Sequence, residues 1–300
     1  MNISRFRYLY LGFALLLAVA SVALIATYGF KLGIDFTGGA VWEVSVPEGV
    51  SADRLAEVVS GTTGSAVSVS TDATTGHYLV RLGDSSAEVY ANVRAAVQDG
   101  IGSYEEHSFQ SIGPSVSDKL RTGAILAIIL VMLFISVYIA ISFRGASGPV
   151  ASWAYGVATL ISLFHDVAIP AAVIAVLGHY GQVELDTNFV VALLVVMGFS
   201  VHDTIVVFDR VRENVGAMRG SFSEVVNASV RQTIARSLNT SFTLVLVLVA
   251  LLVLGPPTLW YFVLVLLVGV LTGAYSSIFV ASPVLLLFAR KPRGGKKRKS

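Results

Sequence analysis

The chain contains no cysteine, which excludes structural disulfides, thiolate metal sites and cysteine nucleophiles, although it says nothing about compartment. Charge is also scarce. Asp, Glu, Lys and Arg make up only 13% of the residues, against 55% hydrophobic ones. Several uncharged runs are longer than the roughly 20 residues that a helix needs to cross a bilayer. This composition excludes an enzyme-like soluble fold and identifies an integral α-helical membrane protein.

Charges and breakers divide the apolar sequence into six expected spans. Tyr8–Phe30 and Thr122–Phe143 are uninterrupted. The first is longer than an ordinary signal-peptide core and has no Ala-x-Ala-like site after it, so it reads as a retained span. A third span over Val150–Leu177 contains Asp166 and Pro170, and Pro170 predicts a kink or tilt. Asn188–Phe208 is the fourth. No charge occurs from Ser237 to Ala289, too long a run for one crossing, and Gly255-Pro256-Pro257 breaks it into spans over Gln232–Leu254 and Thr258–Ala289.

Six spans place both termini on one side. Arg5, Arg7, Arg144, Arg210, Arg212, Arg219, Arg231 and the basic tail from Arg290 to Lys299 share that side, while the other side carries six Lys/Arg against fourteen Asp/Glu. The positive-inside rule then makes both termini cytoplasmic. The expected domains are 1–30 (N-terminus and first span), 31–121 (outer domain), 122–289 (spans two to six) and 290–300 (basic tail, a topology anchor suited to anionic headgroups).

Residues 31–121 form the one sizeable polar segment. Val41–Val46 alternates as a strand, Ser51–Ser60 presents Leu55, Val58 and Val59 on one helical face, and Ala66–Ser70 and His77–Leu82 read as two strands. Ser85 and Glu88 suggest a capping box before a helix presenting Val89, Val93, Ala96 and Val97, and Tyr104–Ser111 alternates again. The order β-α-β-β-α-β is that of a ferredoxin-like α+β domain between the first and second spans. Nothing in the segment has ligand or nucleophile spacing, and His77 and His107 read as ordinary strand residues. Gly33–Gly39 lacks the Lys-Ser/Thr of a phosphate loop, so its glycines are expected to make a tight connection from span to strand.

The ionisable residues inside the spans carry the functional signal. A charge in hydrocarbon costs several kcal/mol, so one that is kept there is expected to be paired, hydrated and functional. Asp203 lies about five residues from the boundary marked by Asp209 and Arg210, roughly 7–8 Å inside. Arg236 is expected at a similar depth in the fifth span, where the two could meet. Desolvation favours the neutral acid, whereas Arg236 or entering water favours the carboxylate, and a proton carrier requires that balance. A static ion pair is the alternative. Asn239, Thr240 and Thr243 continue the Arg236 face, and Ser200 and Thr204 lie near Asp203, lining its path or simply hydrogen-bonding between helices. Asp166 with His165 is a second intramembrane site, read first as helix packing. Gly269, Gly273 and Ser277 follow small-xxx-small spacing, which points to close helix packing.

Four motifs occur in order: Gly33-Ile-Asp-Phe-Thr-Gly-Gly39, the fourth-span segment Gly198 to Asn214, Arg236-Ser-Leu-Asn-Thr-Ser241 and Ser276-Ser-Ile-Phe-Val-Ala-Ser-Pro283. Together they closely resemble the SecF branch of the bacterial SecD/SecF family, within the resistance-nodulation-division superfamily. The resemblance implies a cytoplasmic-membrane subunit that pairs with SecD and uses the proton-motive force to assist preprotein export through SecYEG. It implies no enzyme activity, no cofactor and no nucleic acid. With it, proton-coupling roles are expected for Asp203, Arg236, Asp166, His202, Thr204 and Asn239. The family commonly has Asn before this Asp, where this chain has His202. A titratable neighbour could shift the working pH, although adjacent helical side chains point about 100° apart and need not touch. A half-size exporter of lipids or small molecules, and a non-transporting scaffold, are the other classes considered.

Overall fold

In chain order the elements are α1 (Arg7–Tyr28), α2 (Ile34–Thr37), β1 (Gly39–Ser45), α3 (Ala52–Thr63), β2 (Ser68–Thr71), β3 (Tyr78–Leu82), α4 (Ala87–Gly100), β4 (Glu105–Ile112), α5 (Pro114–Ser142), α6 (Ser152–Tyr180), α7 (Thr187–Ala217), α8 (Phe222–Leu254), α9 (Trp260–Ser276) and α10 (Ser282–Leu287). A 3₁₀ turn at Pro257–Leu259 opens the last span, and a π turn at Ser277–Ala281 joins α9 to α10. The computed structural model describes residues 3–63, 67–71, 75–145, 149–181, 183–218 and 220–289. The basic tail, Arg219 and the expected strand start at Ala66 lie outside them. The chain forms two units, one of Met1–Gly29, Ala127–Val176 and Phe189–Ser300, the other of Phe30–Leu126 and Leu177–Asn188.

Among the described residues six helical stretches are long and apolar enough to cross a membrane, in the six places expected. Three have ends that hydropathy did not mark. Helix α5 starts at Pro114, where proline's fixed φ suits a first helical position, and runs through Asp118, Lys119 and Arg121. Helix α7 continues past Phe208 to Ala217 with Arg210–Glu213 and Arg212–Asp209 pairs on its surface. Helix α8 starts at Phe222, where Ser221 and Glu224 form a reciprocal capping box. Asn214 at the end of α7 donates to Ser229 Oγ (2.8 Å) and Gln232 Oε1 (2.9 Å) of α8, closing a polar hairpin beyond the hydrophobic runs.

In the membrane unit, α6, α7 and the last span are the central helices: half or more of the most apolar stretch of each is buried inside the chain, against 17% or less for α1, α5 and α8. Glycine lets α9 approach α7. A Cβ on Gly269 would overlap the Val196 methyls, and one on Gly273 would sit 3.0 Å from Ser200 Cβ. Small residues are needed where backbones pack this closely in lipid.

The outer unit contains an antiparallel sheet of order β2-β3-β1-β4, the ferredoxin-like arrangement. Alternation sends Ala40, Trp42 and Val44 of β1 and Val80 and Leu82 of β3 to one face, where Leu55 and Val59 of α3 and Val93 and Val97 of α4 cover them. The N-cap of α4 is Ser86, not Ser85: its hydroxyl accepts from Val89 N–H, and Asp84 accepts from Ser86 N–H in a local turn. Ser85 instead offers its carbonyl to Ser111 Oγ, so the expected Ser85–Glu88 box does not form.

The segment between α1 and β1 is fastened to the loop before α7. Leu32 and Leu185 form a parallel bridge, with Leu185 N–H donating to Lys31 O (2.8 Å) and Gly33 N–H to Leu185 O (2.9 Å). Glu184 pairs with Arg81 of β3 and with Lys31 at 3.5 Å. Asp35 Oδ2 accepts the Thr187 N–H (2.8 Å), so a residue 152 positions away caps the N-terminus of α7. Gly38 and Gly39 have φ of 74° and 105°, and a Cβ on Gly39 would collide with Leu82 O. Their task is a tight turn into β1.

Candidate functional site: buried carboxylates among the central helices

Helix α7 carries Asp203 with its side chain almost wholly buried. Its Oδ2 accepts from Ser241 Oγ of α8 at 3.3 Å. Its Oδ1 lies 3.6 Å from Nδ1 of His202, whose side chain is 66% exposed. That separation suits an ion pair when the ring is protonated but is too long for a strong hydrogen bond. The adjacent side chains do come together despite their angular offset. Thr204 is buried, and its hydroxyl donates to Ser200 O of its own helix (3.2 Å) rather than to Asp203.

Arg236 is not the partner of Asp203. Ser241 lies five residues further along α8, which at 100° per residue places the two side chains about 140° apart. The face carrying the small polar residues Thr233, Ser237 and Ser241 is buried, whereas Arg236, Asn239, Thr240 and Thr243 are exposed. Thr240 and Thr243 hydroxyls return to the carbonyls of Arg236 and Asn239 at 3.0 and 2.8 Å. Among the described residues Arg236 forms no salt bridge. Ser237, one turn from Ser241 on the buried face, has the one buried side-chain oxygen among them without a hydrogen-bond partner.

Asp166 is wholly buried on α6 and joins three helices. Its Oδ2 accepts from Ser200 Oγ of α7 (2.5 Å) and from Ser276 Oγ of α9 (2.7 Å), and Ser276 Oγ accepts from Ser162 (3.1 Å). Oδ1 faces His165 Nδ1 at 3.1 Å, and His165 Nε2 is 2.5 Å from the Tyr275 hydroxyl. Sequence spacing identified Asp166 and His165 but not Ser162, Ser276 or Tyr275, which look like ordinary span residues until the helices are packed. No group of three or more His, Asp or Glu arranged to hold a metal ion occurs among the described residues. An open cavity of about 510 Å³ lies elsewhere, lined by Arg7, Tyr8, Ser221 and Phe222 among others.

A six-span bundle with ionisable groups buried between central helices, and one ferredoxin-like domain between the first two spans, defines a polytopic membrane transport protein. Residues 92–291 match the family described as protein export membrane protein SecD/SecF, C-terminal, and residues 23–46 match the SecD/SecF GG motif. The protein translocase subunit SecF of Thermobaculum terrenum is 39% identical over 97% of this chain and 94% of its own length, and that of Vibrio alginolyticus is 34% identical over 91% and 85%. The chain therefore belongs to the SecD/SecF family, as a SecF-type translocase subunit. The crystal structure of SecDF from Thermus superposes with a TM-score of 0.80 at 30% identity, over 96% of this chain but only 38% of the longer SecDF chain. The SecDF of Brucella abortus is likewise matched over 37% of its length at 32% identity, so in such relatives a SecF-like segment shares one chain with SecD.

Proposed function

We propose that this chain pairs with a separate SecD and, driven by the proton-motive force across the bacterial cytoplasmic membrane, assists preproteins crossing through SecYEG. The observation that carries the coupling role is Asp203, buried and held by one neutral hydroxyl. A buried carboxyl held by a neutral hydroxyl can change its protonation state without breaking a fixed ion pair, whereas a buried carboxylate locked to an arginine would stay ionised. Ser237 offers further hydrogen-bonding capacity one turn away, and His202 supplies a titratable neighbour at 3.6 Å.

The exposed Arg236, Asn239, Thr240 and Thr243 form the face that a SecD-like partner would cover. An arginine on an outward face within a span requires snorkelling or a partner's acceptor group. Proton binding and release at Asp203 would bias two helix arrangements. One charge moving through 100 mV supplies about 2.3 kcal/mol, enough to bias a poised equilibrium and too little to unfold a substrate in one step, so repeated cycles are required. The distribution of basic residues supports a cytoplasmic position for both termini. A reporter at Gly76 should then be external and one at Gly216 internal.

The test is export into inverted vesicles containing the chain with its partner. A protonophore should abolish the stimulation that the chain provides, and a sodium ionophore should leave it intact. Stimulation that persists without a proton gradient would contradict the reading.

A further inference from the structure

Asp166 and His165 are buried titratable groups that the Asp203 mechanism does not use. His165 is 2% exposed and Asp166 0%. The groups facing them are Ser200 from α7, Tyr275 and Ser276 from α9, and, through Ser276, Ser162 of α6 itself. No lysine, arginine or second carboxylate contacts them among the described residues. Tyr275 is only partly buried, so the chain of contacts runs from the wholly buried carboxylate to a side chain at the edge of the bundle.

This arrangement accepts a proton without losing a hydrogen bond. In one form the carboxylate accepts from Ser200, Ser276 and His165 Nδ1–H, while His165 Nε2 accepts from the Tyr275 hydroxyl. An incoming proton lands on Tyr275 Oη as the tyrosine's own proton passes to Nε2. The hydroxyl then turns to accept from Nε2–H, and an imidazolium faces the carboxylate. Transfer of the Nδ1 proton to Oδ1 gives a third form, a neutral acid beside a neutral imidazole. Only O–H and N–H bonds are made or broken, and the net change is one proton. A network serving packing alone could be built from serines and an amide.

The backbone departs from regular α-helix on both sides of the site. Pro170 has no N–H to give the Asp166 carbonyl. Ser276 is followed by the π turn, which Ser282 Oγ, at the start of α10, spans by bonding Ser277 O at 3.1 Å. Such irregularities recur where helices must adjust during function. Ser200, which holds Asp166, also lies against Gly273 and is one turn from Asp203 on α7. Its carbonyl accepts from Thr204.

We propose that His165 and Asp166, reached through Tyr275, form a second proton-holding site, linked along α7 by Ser200 to Asp203. The proposal rests on the reading that proton movement drives this chain. Loading the second site would change how α6 and α9 grip α7 and thereby the setting of Asp203.

The experiment follows the histidine ¹⁵N resonances of the full chain in lipid vesicles between about pH 5 and pH 8, the range in which imidazoles titrate. His165 is assigned by the signal lost in His165→Gln. Both ring nitrogens of His165 should shift with pH, and Tyr275→Phe, which preserves packing, should move the midpoint. Nitrogen signals constant across that range in both proteins would overturn the site, whatever export assays show. In the second arm, Tyr275→Phe with its partner should show a displaced pH profile of gradient-driven export at wild-type expression. A titrating His165 with an unchanged profile would overturn its part in the cycle while leaving the role of Asp203 standing.

Discussion

Arg236 and Ser241 lie five positions apart on α8, and Ser241 is the one that reaches Asp203. The carboxylate is therefore held by a hydroxyl that can accommodate either protonation state, and the arginine is left on the outward face. This divides the coupling region in two. Asp203 is set by its own chain, whereas Arg236 lies on the face proposed to meet SecD.

The consequence for Arg236→Met follows directly. Because Arg236 forms no ion pair among the described residues, thermal stability of the isolated chain should change by no more than about 0.5 kcal/mol, as for other exposed substitutions. Copurification with SecD, or gradient-driven export, should fall instead. A large loss of stability in the isolated chain would show that Arg236 has an internal partner.

Asp35 caps a helix far away in sequence, so its loss should loosen the start of α7 without touching the bilayer-embedded carboxylates. Asp35→Ala should cost about 0.5–2 kcal/mol, as for other caps, and should raise hydrogen exchange at Thr187 and Asn188. Asp35→Asn keeps an acceptor and should be milder. Equal exchange in wild type and Asp35→Ala would contradict the capping role.

Gly269→Leu should be among the most damaging single changes in the membrane unit. The added Cβ alone would overlap Val196, and overpacking of this kind costs about 1–3 kcal/mol or more. Combining it with Val196→Ala should recover part of the loss, measurable as detergent melting temperature. No recovery would mean that the glycine serves something other than the α7–α9 approach.

In the outer domain, Glu106 collects Trp42 Nε1–H (3.0 Å) and the Tyr90 hydroxyl (2.5 Å). Partial burial, and then the hydrogen bond to Glu106, push the Tyr90 hydroxyl up to about 12. A raised value means that the protonated form is favoured by folding. The contribution is complete below pH 10 and is lost as pH rises through 12. Tyr90→Phe should remove one late-ionising tyrosine from the ultraviolet titration. A Tyr90 that ionises with the exposed tyrosines would contradict this.

The spans were legible because hydrocarbon demands long uncharged runs, and the outer domain because strand alternation and helical faces repeat within a few residues. Rotation was not. Whether Arg236 or Ser241 faces α7 depends on how α8 is turned about its axis, which hydropathy does not encode when both faces carry small polar residues. Long-range fastening was equally silent: Asp35 reads as part of a glycine turn until Thr187 is brought to it. The Ser85 cap missed by one position because two adjacent serines compete, and the neighbouring Asp84 selects the second.

The role proposed for Asp203 is to take up and release the driving proton. Asp203→Asn keeps the shape and can still bond Ser241, so insertion and assembly with SecD should remain normal. In inverted vesicles, the gradient-dependent stimulation of export should disappear and gradient-independent export should continue. Wild-type stimulation by a proton gradient in the Asp203→Asn complex would contradict the account.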